Sequence, residues 1–143
     1  MNKNEAYYEQ IVMACINQKH TDNCTFIYEC FDDNNWGELI CALSNKAALE
    51  RKPYAYAIFG IDPKNYTILN CNQMPSIEES LMDKLSSNIT FHINQTLIEN
   101  KNVIVLEVCA TNYTSMQYEG EEYIIENSEV QKLKDHSVLE KNF

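Results

Sequence analysis

The sequence predicts an α+β domain in which helices pack on a mostly antiparallel sheet. Two observations support this prediction. Segments with apolar residues at helical spacing alternate with short runs rich in β-branched and aromatic residues, and turn-forming residues join neighbouring strand segments into hairpins. The chain has 143 residues, 45% of them hydrophobic, which suffices for one core. We expect a single domain over residues 1–143, with an N-terminal helix in about 1–22, a core over 23–136 and a tail over 137–143.

A helix and a strand open the chain. The helix is predicted over residues 5–18, because apolar side chains recur there at helical spacing, at Tyr8, Ile11, Val12, Cys15 and Ile16. The strand is predicted over residues 24–31, CTFIYECF, whose side chains alternate between two faces.

A second helix follows turn-forming residues 32–35. We expect it to begin near Trp36 and to end near Leu49, before Pro53. Asn35 and Glu38 have the spacing of a capping box, with Asn in place of the usual Ser or Thr. The predicted buried stripe of this helix is Trp36, Leu39, Ile40, Leu43 and Ala47.

The middle of the chain predicts a hairpin and a third helix. Residues 54–61, YAYAIFGI, are apolar on both faces, as in a central strand, and residues 66–70, YTILN, are predicted to return beside them. Ser76 and Glu79 form a second capping-box pattern, which predicts a helix over residues 77–87. The core side chains of that helix would be Ile77, Leu81 and Leu85.

A second hairpin and a short strand close the predicted fold. Residues 89–98 alternate with Ile89, Phe91, Ile93 and Leu97 facing inward, and residues 103–109 form the partner strand. A final short strand is predicted over residues 123–126. Residues 128–136, SEVQKLKDH, are compatible with either a last helix or a loop.

The charge balance sets the first functional expectation. The chain carries 11 basic and 21 acidic residues, a net charge of −10, and Arg51 is its single arginine. Such a field repels polyanions and lowers general affinity for nucleic acid. No apolar run approaches the roughly 20 residues that span a bilayer, and the N-terminus lacks a signal-peptide pattern. We therefore expect a cytoplasmic protein without a membrane partner.

Six cysteines are scattered along the chain without a Cys-x-x-Cys pair. This spacing favours neither a structural zinc site nor a disulfide framework. We expect reduced thiols that act as small apolar core residues, and we expect neither a bound metal nor a cofactor.

Residues 27–62 resemble the opening of the Schlafen AlbA-like domain family. Its members show a strand ending Glu-Phe-Lys, a polar turn, a helix containing Ala-Leu-x-Asn, and an apolar strand ending Gly-Ile-Asp or Gly-Val-Asp. Here Glu29, residues 42–45 and residues 60–62 match in order and spacing. Residues 103–108 and 122–136 resemble the family's fifth strand and closing segment, so the likeness covers about residues 20–136. It implies a Schlafen/AlbA-like fold and a DNA- or RNA-binding or regulatory module, such as a transcription regulator. The asparagine-rich composition separately indicates a bacterial or phage origin.

The departures from the family pattern affect the expected chemistry. Phe31 stands where the family carries Lys, and the family's Arg and Gly in the closing segment fall on Ile125 and Asn127. Relatives that cleave RNA use three carboxylates, and Cys24 stands at the first of these positions. The resemblance therefore implies an incomplete catalytic site. Its remaining candidates, as a divergent metal-dependent RNase, are Glu29 and Asp62.

Two charged groups remain as candidate binding surfaces. A basic strip could contact phosphates if the fold assembles it from Lys46, Arg51, Lys52, Lys132 and Lys134. An acidic group crowds the end of the predicted core, at Glu119, Glu121, Glu122, Glu126 and Glu129. The first favours a nucleic-acid partner. The second favours a basic protein partner, and in the extreme an inhibitor that imitates the charge of nucleic acid. A homodimer is among the alternatives for the oligomeric state.

Overall fold

The structure is a computed structural model that describes residues 5–112 and 114–133. It has the predicted α+β architecture. Its helices are α1 (Glu5–Gln18), α2 (Trp36–Leu49) and the single turn α3 (Leu81–Lys84). Its strands are β1 (Thr25–Tyr28), β2 (Tyr54–Phe59), β3 (Phe91–Ile98), β4 (Lys101–Cys109), β5 (Gln117–Tyr118), β6 (Glu121–Glu126) and β7 (Glu129–Lys132). The tail predicted over 137–143 lies outside the described residues.

The strands form two sheets. A four-stranded sheet has the order β1-β2-β4-β3, and a three-stranded sheet has the order β5-β6-β7. Strands β1 and β2 run parallel because helix α2 crosses over between them, whereas every other pair is antiparallel. The prediction of a mostly antiparallel sheet is confirmed, and the β1–α2–β2 crossover is its one parallel unit in the described part of the chain.

Both faces of the four-stranded sheet are buried. In β4, Ile104 and Leu106 pack with α2, and Val103 and Val105 pack with α1. This separation follows from the two-residue period of a strand. The two helices therefore cover opposite faces, which explains why β2, between β1 and β4, is apolar on both sides.

Helix α2 is more deeply buried than the predicted stripe suggests. It contacts the four-stranded sheet on one side and β5, β6 and β7 on the other. Leu39, a predicted core residue, is only partly buried, while Cys41, Ser44 and Asn45 are fully buried. A sequence stripe marks one buried face, whereas this helix lies between two layers.

The predicted capping box at α2 is wrong. Asn35 makes no side-chain hydrogen bond to the helix. Its Nδ2 donates instead to Asp32 Oδ2 at 3.1 Å. The helix nevertheless begins at Trp36, whose indole Nε1 donates to Asp33 Oδ1 at 2.8 Å in the preceding turn.

Two tight turns of the same kind close the hairpins β3–β4 and β6–β7. Glu99 and Asn100 have φ of 52° and 65°, and Asn127 and Ser128 have φ of 53° and 64°. Two consecutive positive φ angles define the type I′ turn, whose twist matches that of the flanking strands. The second turn makes residues 129–132 a strand, so both alternatives offered for residues 128–136, a helix or a loop, are wrong in the described part.

The predicted hairpin partner at residues 66–70 is reduced to one bridge, between Ile61 and Ile68. The chain then leaves β2 and joins the start of β4. Asn102 N–H donates to Asn70 Oδ1 at 2.8 Å, and Cys71 N–H donates to Asn102 O at 2.7 Å. Around the bridge the local pairing persists, since Leu69 N–H donates to Gly60 O at 2.7 Å and Asp62 N–H donates to Thr67 O at 2.9 Å. Beyond Leu69 the long-range hydrogen bonds take over.

The third predicted helix is also shorter than expected. Only residues 81–84 are helical, so Ser76 lies too far before the helix to cap it. The Ser76 N–H donates instead to Asp33 Oδ1 at 3.0 Å in the loop before α2. Leu85 is extended and bridges to Tyr118. Contacts with α2 and β5 therefore override the helical periodicity of this segment.

Strand β3 departs from its prediction at one end. Leu97, expected to face inward, is 52% exposed, whereas Ile98 is 3% exposed and packs on the α1 side. Phe91 and Ile93 share the face of Leu97 and do pack against the core. The outer end of β3 thus extends beyond the area that the α2-side core covers.

Candidate functional site

The two candidate catalytic carboxylates follow the ends of neighbouring strands. Glu29 follows β1 and Asp62 follows β2, and because these strands are parallel both lie toward the same edge. The N–H groups of Gly60 and Ile61 donate to Tyr28 O at 2.9 and 3.3 Å. The two strands are therefore direct neighbours in the sheet.

The carboxylates at this edge stabilise turns. Asp62 Oδ1 accepts a hydrogen bond from Lys64 N–H at 2.8 Å, and Asp32 Oδ1 accepts one from Asn34 N–H at 2.9 Å. Asp33 accepts from Trp36 and Ser76, and these hydrogen bonds lower its pKa. Glu29 is exposed. Within residues 5–112 and 114–133, no three His, Cys, Asp or Glu side chains are grouped to hold a metal ion.

The described members of the predicted basic strip lie on α2, just after α2 and on β7. Lys46 pairs with Glu50 at 3.8 Å, beside the β6–β7 turn. Lys132 lies at the far end of that hairpin, opposite Tyr123. Arg51 is exposed at the end of α2, and Lys134 lies outside the described residues.

Lys52 is held by a carboxylate. Its Nζ lies 3.2 Å from Asp22 Oδ2. Burial raises the pKa of Asp22, but hydrogen bonds from the Cys24 N–H, the Thr25 hydroxyl and Lys52 outweigh burial and lower it. The same hydrogen bond raises the pKa of Lys52. A phosphate that binds Lys52 would have to displace the Asp22 carboxylate, which is already paired with it.

The predicted acidic group divides into different environments. Glu126 and Glu129 are exposed and directly opposite each other at the β6–β7 turn. Glu119 pairs with Lys84 at 3.7 Å, and Glu121 is partly buried. Glu122 is fully buried, so its assignment to an interaction surface is wrong. The strand alternation of β6 turns Glu122 inward while its neighbours stay accessible.

A pocket of about 440 Å³ opens where β1, β2, α2 and the β6–β7 hairpin meet. We call it the aromatic pocket. It lies at the carboxyl ends of the two parallel strands and at the start of α2, a common location for ligand sites in sheets with parallel strands. Its lining consists of Tyr28, Cys30, Phe31, Asp32, Asn35, Trp36, Glu38, Leu39, Phe59, Ser128, Glu129 and Val130.

Four aromatic rings hold one another in place in this pocket. The Tyr28 ring stacks on Phe59 at 5.4 Å between centroids, and Trp36 meets Phe59 edge-on at 5.5 Å. Phe31 contacts both Trp36 and Phe59, at 5.4 and 5.8 Å. Trp36 and Phe59 are buried, whereas Tyr28 and Phe31 are partly exposed. The two inner rings therefore support the two outer ones.

The β6–β7 turn is tied to the pocket wall. The Tyr28 hydroxyl donates to Ser128 O at 3.0 Å, and burial raises the pKa of Tyr28 to about 12. The hydroxyl is therefore neutral at physiological pH. Asp32, Glu38 and Glu129 complete the lining as its three carboxylates. Sequence reasoning named Glu129 in the acidic group but could not place it around one cavity with Asp32 and Glu38.

A buried polar cluster on the α1 side was missed by sequence reasoning. Glu107 is 1% exposed in the middle of β4 and accepts a hydrogen bond from the Tyr8 hydroxyl at 3.4 Å. Tyr7 and Tyr56 share a hydrogen bond between their hydroxyls. Burial, together with Tyr7 and Glu107, raises the pKa of Tyr56 far above its usual value. The signal was a lone glutamate in the apolar run VIVLEVC.

The six thiols differ in accessibility, which leads to a labelling prediction. Burial raises the pKa of Cys15 and Cys24 to about 11 and that of Cys41 to about 12. Cys30 is exposed at the aromatic pocket. Because the thiolate is the reactive form, we expect iodoacetamide to modify Cys30 first in the native protein.

Peptide mapping by mass spectrometry would measure this order. In denaturant all six cysteines should label, and Cys30→Ser should remove the earliest modification. Labelling of Cys41 as fast as Cys30 in the native state would contradict the described burial.

No helix in the described residues has the length and apolarity needed to cross a membrane. No family model matches the chain, and no curated protein matches it significantly. Among solved structures, the chain is similar to the DIP2311 protein from Corynebacterium diphtheriae, with a TM-score of 0.49 and 10% sequence identity. The match covers 90% of this chain and 27% of that protein, so this chain spans about a quarter of its length. A likeness of this extent assigns neither a family nor a function.

Proposed function

We propose that this chain is an acidic protein-interaction module that docks onto a basic partner protein. The observation that supports this most is the pair Glu126 and Glu129, which lie directly opposite each other at the β6–β7 turn. Like charges in this position destabilise a hairpin by a few tenths of a kcal/mol or more. A cation supplied by a partner would relieve that repulsion.

The same side of the molecule carries further negative charge. Asp32 and Glu38 line the aromatic pocket together with Glu129. Among the described residues, no salt bridge involves Glu126, Glu129, Asp32 or Glu38. We call these four residues the acidic face. A net charge of −10 adds long-range attraction for a basic partner.

Nucleic-acid binding receives less support from the same geometry. Lys46 and Lys52 are each paired with a carboxylate. A phosphate contact gains affinity by releasing counterions from the nucleic acid. Cations already held by carboxylates have first to break an internal pair, which reduces that gain.

We also propose that the fold is that of the Schlafen AlbA-like family. In support, the matching residues occupy one structural unit, β1–α2–β2, and two of them have demanding positions. Asn45 is fully buried, and Gly60 has a φ of 106°. Both would be retained for folding after loss of an ancestral nucleic-acid ligand. A protein that kept the fold but changed its partner is consistent with Phe31 and Ile125, which stand where the family carries Lys and Arg.

Charge-matched variants test the proposed function. We expect a short arginine- and lysine-rich peptide to bind the wild type, and Glu126→Gln with Glu129→Gln to weaken binding about tenfold. The control pair Glu9→Gln with Glu99→Gln removes the same charge from exposed sites on α1 and the β3–β4 turn. We expect it to weaken binding less than about twofold, because distant charges are screened over about 8–10 Å.

Isothermal titration calorimetry at physiological salt would measure these affinities. Equal losses in the two variants would show that only net charge matters and would contradict a defined face. A parallel titration with mixed DNA and RNA from low to physiological salt addresses the alternative. Nucleic-acid binding with a steep negative salt dependence would overturn the proposal.

A further inference from the structure

We propose that the aromatic pocket accepts an arginine side chain of the basic partner. This inference rests on the proposed function, since it names the group that the acidic face would anchor. The pocket combines a partly exposed aromatic wall with three carboxylates. Among the residues that line it there is no Lys, Arg or His.

The outer aromatic rings present a stacking surface. Phe31 and Tyr28 are partly exposed and are backed by Trp36 and Phe59, which are 2% and 3% exposed. A planar guanidinium stacks on such rings and is attracted by their negative faces. Because the inner rings hold the outer ones in place, binding costs little further side-chain entropy.

The charges around the pocket favour a cation. Asp32, Glu38 and Glu129 bring three negative charges to its lining. The start of α2 opposes a cation with about half a positive charge. Three carboxylates outweigh it, and the Tyr28 hydroxyl is committed to Ser128 O.

The arrangement of the carboxylates favours arginine over lysine. Asp32 is fixed by hydrogen bonds from Asn34 N–H and Asn35 Nδ2. Burial and the negative charge of the neighbouring Glu38 raise the pKa of Tyr123, which places Glu38 beside the Tyr123 hydroxyl. Preset carboxylates suit the rigid fork of a guanidinium, whereas a lysine ammonium is a more strongly hydrated point charge that stacks less well.

Two residues report directly on occupancy of the pocket. Trp36 is the only tryptophan of the chain, so fluorescence excited selectively at tryptophan is specific to this site. Cys30 lines the same pocket and is exposed, so its alkylation rate measures access. The probes are three acetylated tripeptide amides with arginine, lysine or norleucine between two glycines.

We expect the arginine tripeptide to change Trp36 emission and to slow alkylation of Cys30 by iodoacetamide at least about threefold at saturation. The lysine tripeptide should bind about threefold to tenfold more weakly, and the norleucine tripeptide should have no effect at the same concentration. Equal binding of norleucine would overturn the inference in favour of an apolar ligand. Equal binding of lysine would overturn the role of stacking.

Variants separate charge from stacking. Glu129→Gln should weaken binding of the arginine tripeptide about fivefold, whereas Glu126→Gln, at the same turn but outside the pocket lining, should change it less than about twofold. Phe31→Leu keeps an apolar wall and should remove the preference for arginine over lysine. Circular dichroism checks that each variant is folded.

The arginine- and lysine-rich peptide used to test the proposed function distinguishes failure of the pocket inference from failure of the proposed function. If that peptide binds the acidic face but leaves Trp36 emission and Cys30 reactivity unchanged, the pocket inference is wrong and the proposed function stands. If neither that peptide nor the arginine tripeptide binds, both are wrong.

Discussion

Replacement of Asn45 by leucine is expected to destabilise the domain by about 4 kcal/mol. The Asn45 side chain is fully buried in α2 and makes three hydrogen bonds to backbone groups of other segments. Its Nδ2 donates to Met116 O at 3.0 Å and to Tyr123 O at 2.9 Å, and its Oδ1 accepts from Met116 N–H at 2.7 Å.

The size of this effect follows from what the substitution leaves behind. Leucine has a similar volume, so little cavity forms, but Met116 N–H and Tyr123 O lose the Asn45 side chain as partner. Met116 O keeps only the Cys41 thiol, at 3.3 Å. Each unsatisfied buried group costs about 1–3 kcal/mol, and the greater hydrophobicity of leucine offsets part of the sum. The three-stranded sheet should loosen from α2 first, because Asn45 contacts that layer.

Urea unfolding followed by far-UV circular dichroism would measure the change. Ser44→Ala is a matched control, because Ser44 is the adjacent residue, is equally buried, and its hydroxyl has no hydrogen-bond partner among the described residues. We expect this control to change stability by less than about 0.5 kcal/mol or to stabilise slightly. A loss below about 1 kcal/mol for Asn45→Leu would show that the contacts of Met116 and Tyr123 are replaceable.

Gly60→Ala is expected to destabilise the domain by about 3 kcal/mol. Gly60 follows β2 with a φ of 106°, which side-chain-bearing residues rarely adopt. An added Cβ would lie 2.9 Å from Cys71 Cβ and 3.3 Å from Asn102 O. Both the backbone conformation and the close approach of two other segments therefore require glycine.

Gly120→Ala separates these two causes. Gly120 also has a positive φ, 81°, but no atom lies within 4 Å of the position of an added Cβ. We expect this variant to lose about 1 kcal/mol, the conformational part alone. Thermal unfolding of both variants in parallel gives the comparison. Equal losses would contradict a steric role for Cys71 and Asn102.

The resemblance to the Schlafen AlbA-like family comes from the sequence alone, whereas the tertiary roles of the motif residues come from the structure. Asn45 and Gly60 stand at motif positions, and the structure gives each a folding role that requires no ligand. Motif residues of this kind can persist when a fold changes its partner. This is why the charge distribution, rather than the motif, supports the proposed function.

The sequence alone located the elements whose signals are local. The bounds of α1 and α2, Glu5–Gln18 and Trp36–Leu49, are the predicted ones, because helical periodicity over fourteen residues outweighs any single error. The type I′ turn at Asn127 and Ser128 is also local, yet its hairpin was missed. That pair lacks the glycine that usually marks such a turn.

The folded structure decided the form of the elements whose sequence patterns cover only a few residues. Ser76 was expected to cap a helix, but its N–H reaches Asp33, and Asn35 was expected to cap α2 but bonds Asp32. The partner of Ser76 belongs to a distant segment that the local pattern does not include, whereas Asn35 finds a competing carboxylate within its own turn.

Composition and hydrophobic periodicity thus determined that this chain is an acidic α+β protein, and they located its two long helices correctly. Only the folded chain decided that Glu122 is buried, that Lys52 is held by Asp22, and that Tyr28, Phe31 and Glu129 share one cavity. Backbone preferences act over a few residues, whereas the partners of Glu129 in the pocket lie about a hundred positions away, so their meeting depends on how the layers pack.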